Sequence, residues 1–256
     1  MADFVLVPGF WLGAWAWEQV AAKLRADGHR VHAVTLTGLA ERAGEATPQT
    51  DVDTHVGDIV RVVEDNDLRE VVLVGHSGAN MPVTGAADRI AGRLARVVYV
   101  DTAPMPSGMA QVDFLQGEAR EAVLRQIAEQ GGGRWLPAPS FEAAGEGPGT
   151  LSEADLAGLA PQDLALLRER ATPEPAGAAT QPLERPAAVP ATPKSMIMCT
   201  MPAPLVRQLV ASGNPVFAAM TGPEWSFHEL PTGHWPMLSR PVELAALLAE
   251  LAAAGG

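Results

Sequence analysis

One decapeptide constrains the fold of this chain more than any other stretch. In Val71-Val72-Leu73-Val74-Gly75-His76-Ser77-Gly78-Ala79-Asn80, an unbroken apolar run gives way to small residues on both sides of a serine. A valine-rich apolar tetrapeptide reads as a strand buried on both faces, the usual state of a strand inside a parallel sheet. Parallel strands cannot be joined by hairpins, so helical crossovers are required around it. The strand must end and a helix begin around Ser77, and Gly75 and Ala79 leave room for the strained backbone that such a turn needs. A serine so placed is lifted above the strand ends, beside the free amides of a new helix. The plain alternative is a serine that merely caps that helix.

The rest of the chain supplies the crossovers. Short apolar runs at Phe4-Val5-Leu6-Val7, residues 31–34, Val97-Val98-Tyr99-Val100, Met196-Ile197-Met198-Cys199 and residues 225–230 read as strands. Helical spacing follows at 15–26, at 53–64 (His55, Val56, Ile59, Val60, Val63), after Ser77, and at 241–251, where Pro241 suits a first turn. Alternating strands and helices predict an α/β fold, a mostly parallel sheet flanked by helices. The rhythm breaks from about Pro104 to Lys194, where no strand pattern appears and ten of the 22 prolines fall between Pro137 and Pro193. Two helical stretches, 119–130 and 152–170, survive there. So long a stretch is no loop. It predicts an inserted, mainly helical cap at 104–194, with the core formed by 1–103 and 195–256.

Composition excludes several partners. The net charge is −12, from 30 acidic against 18 basic residues, and no Lys/Arg run occurs, so a nucleic-acid partner is not expected. No apolar run approaches the ~18 residues of a membrane span. Cys199 is the lone cysteine, which rules out an internal disulfide, and the start lacks the pattern of a secretion signal, so a cytoplasmic location is expected.

Two further segments give the serine a chemical setting. Pro8-Gly9-Phe10-Trp11 closes the first strand, and a glycine-containing turn there can offer the Phe10 amide to share an oxyanion with the Gly78 amide. Near the other end, Leu230-Pro231-Thr232-Gly233-His234 places a histidine in a loop after the last strand, where a general base for Ser77 is expected. The plain alternative is a loop histidine that caps the next helix. His29 and His32 flank the second strand, His55 lies on a helix and His76 adjoins the serine, while His228 is mid-strand and only a remote alternative base. Cys199, at a buried strand end, reads as packing. No dinucleotide fingerprint, phosphate loop or metal-spaced cluster is present, so no cofactor and no metal are expected.

Three stretches together resemble a known group: Pro8-Gly9-Phe10-Trp11-Leu12-Gly13-Ala14-Trp15, Gly75-His76-Ser77-Gly78 and Gly233-His234-Trp235-Pro236-Met237-Leu238. The chain looks like an α/β-hydrolase of the group containing plant methyl esterases and hydroxynitrile lyases. The resemblance spans the core and not the cap. Members usually have His-Gly where this chain has Pro8-Gly9, a change that spares the amide donor. Hydroxynitrile lyases carry a lysine after the base histidine, and here that position is Trp235. The group's acid usually follows the strand matched by Met196 to Cys199, yet no Asp or Glu occurs between Glu184 and Glu224. Asp101, at the end of the strand after the nucleophile strand, is the best substitute, a position similar to that used by haloalkane dehalogenase relatives. The plain alternative is an aspartate that bonds loop amides.

The residues and the resemblance together predict a serine-nucleophile hydrolase acting through an acyl-enzyme, with Ser77 as nucleophile, His234 as base and Asp101 as the substitute acid. Its small-molecule substrate would be a small to medium, largely apolar ester, thioester or lactone, lined by Trp11, Met81, Met105, Trp135 and Trp235. Lyase, C–C hydrolase or cyclase chemistry on the same site, and a non-catalytic small-molecule-binding protein, are the alternatives.

Overall fold

The computed structural model describes residues 1–115, 117–142, 150–214 and 216–254. Its strands are β1 (Asp3–Val7), β2 (Arg30–Ala33), β3 (Val71–His76), β4 (Leu94–Val100), β5 (Trp135–Leu136), β6 (Glu174–Pro175), β7 (Lys194–Met198) and β8 (Trp225–Glu229). Its helices are α1 (Glu18–Ala26), α2 (Val52–Asp65), α3 (Asn80–Arg89), α4 (Gly117–Arg125), α5 (Glu153–Leu156), α6 (Pro161–Arg170), α7 (Ala176–Thr180), α8 (Ala203–Ala211), α9 (Pro236–Ser239) and α10 (Pro241–Ala253). Six strands form one sheet in the order β2-β1-β3-β4-β7-β8, with every neighbouring pair parallel.

The period of two along each strand sends alternate side chains to opposite layers. Phe4, Leu6, Val72, Val74, Val98, Val100 and Ile197 pack with Leu24 of α1 and Leu244, Leu248 and Leu251 of α10. Val5, Val7, Val71, Leu73, Val97 and Tyr99 pack on the other face with Val56, Ile59 and Val63 of α2 and Val83 of α3. Each such fully buried side chain contributes about 1.5–3 kcal/mol, which makes these two layers the main stabilising term. Met196 and Met198 extend the second layer against Val206 of α8 and Phe217.

Between β4 and β7 no described residue joins the main sheet, and the 143–149 stretch of the expected insertion lies outside the described residues. Two details correct the sequence reading. The inserted segment does hold strands: β5 and β6 pair antiparallel, two residues each, too short to leave a periodic signal. The 152–170 stretch is two helices, α5 and α6, separated by a turn with Gly158 at φ +80. Beyond 194, α8 occupies a stretch with no predicted element.

Candidate active site

All six strands run the same way, so their C-terminal ends meet on one rim. The order β1-β3-β4-β7-β8 therefore brings together the Phe10 turn, Ser77, Asp101, Thr200 and the His234 loop. Ser77 follows β3 directly and takes φ +50, after which a 3-10 turn (Ser77–Ala79) leads into α3. Two glycines let the β1 turn close against it. A Cβ on Gly9 would lie 2.8 Å from the Ser77 Cβ, and one on Gly78 would lie 2.5 Å from the Phe10 ring. Any larger residue at either position pushes the two loops apart.

The side chains form a hydrogen-bonded row. Ser77 Oγ lies 2.7 Å from His234 Nε2, and His234 Nδ1 lies 2.7 Å from Asp101 Oδ2. A carboxylate only accepts, so Nδ1–H donates to Asp101 and Nε2 is left to accept the Ser77 hydroxyl proton. Asp101 Oδ1 also accepts from the amides of Cys199 at 3.0 Å and Thr200 at 2.9 Å, and Oδ2 from the Thr200 hydroxyl at 2.8 Å. Burial pushes the Asp101 carboxyl up, but the hydrogen bond and charge of His234 and the Thr200 bonds outweigh it and hold the group below the usual carboxylate range. Asp101 therefore makes two sets of contacts, one to the loop after β7 and one to His234. It bonds the loop amides and thereby faces the imidazole. Thr200, which sequence reasoning passed over, is the hydroxyl residue just past β7, in the stretch where the acid was sought.

The histidine loop is fixed by its backbone. His76 Nε2–H donates to the His234 carbonyl at 2.6 Å, and burial, reinforced by the neighbouring His234, pushes the His76 imidazole down to about 3, so it stays neutral. The inserted segment holds the same loop: the Gly233 amide donates to the Ala157 carbonyl at 2.9 Å and the His234 amide to that of Asp155 at 2.8 Å. On the opposite side it grips Trp11, whose φ is +67. The Trp11 amide donates to Glu174 Oε2 at 3.0 Å, its indole N–H to the Leu136 carbonyl at 3.3 Å, and its carbonyl accepts from the Thr172 amide at 2.9 Å.

Ser77 opens into a cavity of about 590 Å³ whose walls include Phe10, Trp11, Gly78, Val112, Leu115, Leu136, Ala138, Phe141 and Leu151, with Gln111, Gln126, Gln130, Ser140, Glu142 and Thr150 as polar members. Of the expected pocket residues, Trp11 is in the wall. The other four are not, which corrects the sequence reading. Met81 is fully buried because α3 is enclosed along residues 80–87, and Met105 packs in the same layer. Trp135 precedes the wall residue Leu136 in β5, and neighbours on a strand face opposite ways. Trp235 stands edge-on to the His234 ring at 5.2 Å and to Phe141 at 5.5 Å, so it backs the histidine. Cys199 is buried, and burial together with Asp101 pushes its thiol far up, which suits packing and not nucleophilic attack. Among the described residues no group of three or more His, Cys, Asp or Glu side chains is placed to hold a metal. No helix among them is long and apolar enough to cross a membrane.

Residues 4–247 match the sequence profile of the Alpha/beta hydrolase family. A carbendazim hydrolyzing esterase of Nocardioides sp. (strain SG-4G) is 45% identical over 101 residues, covering 40% of this chain and 42% of the relative. Methylesterase 8 of Arabidopsis thaliana is 34% identical over 114 residues, covering 44% of this chain and 41% of the relative. The chain therefore spans less than half the length of each of these curated relatives. Among solved structures, an extracellular alpha/beta-hydrolase from a Paenibacillus species superimposes with a TM-score of 0.74 at 19% identity, covering 98% of both chains, a likeness of fold.

Proposed function

The chain belongs to the alpha/beta hydrolase family, and from that premise we propose that it is a serine esterase acting through an acyl-enzyme on a small to medium, largely apolar ester, thioester or lactone. The observation that carries this reading is the Ser77–His234–Asp101 row, with bonds of 2.7 Å and 2.7 Å, opening into the 590 Å³ cavity. Ser77 Oγ adds to the carbonyl carbon while His234 Nε2 takes the hydroxyl proton, and Asp101 stabilises the imidazolium. The amides of Phe10 and Gly78 hold the oxyanion. The tetrahedral adduct collapses as the alcohol leaves with the proton from His234. Water then repeats the attack on the acyl-Ser77 carbonyl, the acid departs and the hydroxyl is restored. No cofactor enters the cycle.

The inserted segment 104–194 serves as a cap that supplies most of the cavity wall. Its lining is more apolar than polar, which suits small to medium, largely apolar substrates, while Gln111, Gln126 and Gln130 offer polar groups to orient them. The names of the esterase and methylesterase relatives support the same reaction class, and the carbendazim enzyme adds carbendazim to the compounds worth testing. A fluorophosphonate probe should label Ser77, and a panel of p-nitrophenyl and methyl esters together with carbendazim should contain a substrate. Ser77→Ala should lose the label and lower kcat by on the order of 10⁶. Labelling at another residue, or turnover that survives Ser77→Ala, would overturn the reading.

A further inference from the structure

The Trp11 amide, one residue past the Phe10 oxyanion donor, is bonded to a carboxyl group that the reaction above does not use. Glu174, in β6, has no exposed surface, and the Trp11 amide at 3.0 Å is the one hydrogen-bond donor recorded on it among the described residues. Its other oxygen, Oε1, is buried without a hydrogen-bond partner there and lies 3.9 Å from His55 Nδ1. His55 Nε2–H donates to the Thr37 carbonyl at 2.9 Å, which leaves Nδ1 as the lone-pair side facing Glu174. The pair is enclosed behind the oxyanion turn among Phe10, Leu36, Leu39 and Ala79.

We propose that Glu174 is a positioning residue: its carboxyl group, backed by His55, clamps the Trp11 amide and so fixes the Phe10 turn opposite Ser77. Trp11 holds a left-handed φ of +67, which a bulky residue adopts only when its surroundings impose it. Glu174 on the amide and Thr172 on the carbonyl are the surroundings that do so. The β5–β6 pairing, with Leu136 opposite Glu174, delivers the carboxyl to this point.

The clamp works as a neutral acid. Burial pushes the Glu174 carboxyl up to about 8, only partly opposed by the Trp11 amide. Burial also lowers His55; the Thr37 carbonyl, Asp58 and Asp51 act against this and Arg42 adds to it, so the imidazole beside Glu174 is uncharged at neutral pH. The other residues enclosing the pair, Pro8, Gly9 and Phe10 of the β1 turn, Leu36 and Leu39 after β2, and Gly78 and Ala79, carry no charge. Above about 8 the group ionises with no cation facing it among the described residues. A lone buried carboxylate is costly, so the clamp should loosen.

The catalytic half of this inference rests on the esterase reading, and the clamp itself does not. Two variants separate them. Glu174→Gln keeps the acceptor for Trp11 and a hydrogen-bearing group toward His55, whereas Glu174→Leu keeps bulk alone. In amide hydrogen exchange at pH 7, peptides covering Gly9 to Leu12 should exchange at least about tenfold faster in Glu174→Leu than in the wild type or Glu174→Gln, with β3 and β4 unchanged. In ester hydrolysis, Glu174→Leu should lower kcat about 10–100-fold at a similar KM, as a displaced oxyanion donor does. Glu174→Gln should stay within about threefold and lose the alkaline fall in kcat near pH 8. Unchanged exchange at Gly9 to Leu12 in Glu174→Leu overturns the clamp, as does wild-type kcat in that variant. A wild type inert on every ester would overturn the esterase reading while the exchange experiment still decides the clamp.

Discussion

Ser77 and Asp101 lie side by side, each one residue beyond the last paired residues of adjacent strands, His76 and Val100, and each with φ +50. The two residues thus leave neighbouring strands at one level through the same left-handed kink. A non-glycine residue pays for that conformation with about 1–2 kcal/mol, which the surroundings must supply. At Asp101 they are visible: two amides and a hydroxyl from Cys199 and Thr200 hold the carboxylate while it faces His234.

Asp101→Asn should keep the fold, because an amide oxygen still accepts from the Cys199 and Thr200 amides, but it should lower kcat by up to ~10⁴ by setting the wrong histidine tautomer. Thr200→Val removes one of the bonds to Asp101 and should cost only about tenfold, restored by Thr200→Ser. Steady-state kinetics on one ester checks the order of the two effects. Near-normal turnover in Asp101→Asn would exclude Asp101 as the acid.

The Glu174 carboxyl also predicts how stability varies with pH. Its folded-state value of about 8 lies above the ordinary ~4.3 of an unfolded glutamate, so the native state binds the extra proton across that window. The stability linked to this proton is fully present below ~4.3 and is lost as pH rises through 8. Glu174→Gln lacks the titration. The difference in Tm, wild type minus Glu174→Gln, should therefore fall between pH 5 and pH 9, as thermal scans in matched buffers will show. A constant difference would mean that Glu174 is ionised throughout.

Ala138 lines the cavity, whereas Trp135 does not. Ala138→Phe should raise KM for esters with bulky acyl or alcohol groups by about tenfold and leave the smallest ester nearly untouched. Trp135→Ala should lower Tm with little change in KM for any of them. The reverse pattern, measured on a graded series of esters, would place the pocket on the wrong face of β5.

The sheet was legible because its signals are local. Val71 to Val74 and Val97 to Val100 are apolar on both faces, and both end at residues whose chemistry stands out: Ser77 in a small-residue turn and Asp101 beside a stretch barren of carboxylates. The inserted segment was less legible. β5 and β6 are two residues each, and their pairing joins positions far apart in sequence, so nothing periodic announces it. Met81 and Met105 read as pocket residues by proximity to Ser77 and Asp101, but burial follows the helix face and the layer, not distance along the chain. Glu174 stands among prolines and alanines as an ordinary surface residue would. Only the meeting of β6 with the β1 turn reveals that it is enclosed.

The inserted segment holds the Trp11 turn through Leu136, Thr172 and Glu174, and the histidine loop through Asp155 and Ala157. It is therefore not an interchangeable part. A foreign segment grafted between β4 and β7 would carry new walls but cut five tethers on which the Trp11 and His234 loops lean. Adaptation to new substrates is thereby channelled into single replacements between the tethers, such as those at Val112, Leu115 or Ala138, where the lining can vary while both anchor points stay in place.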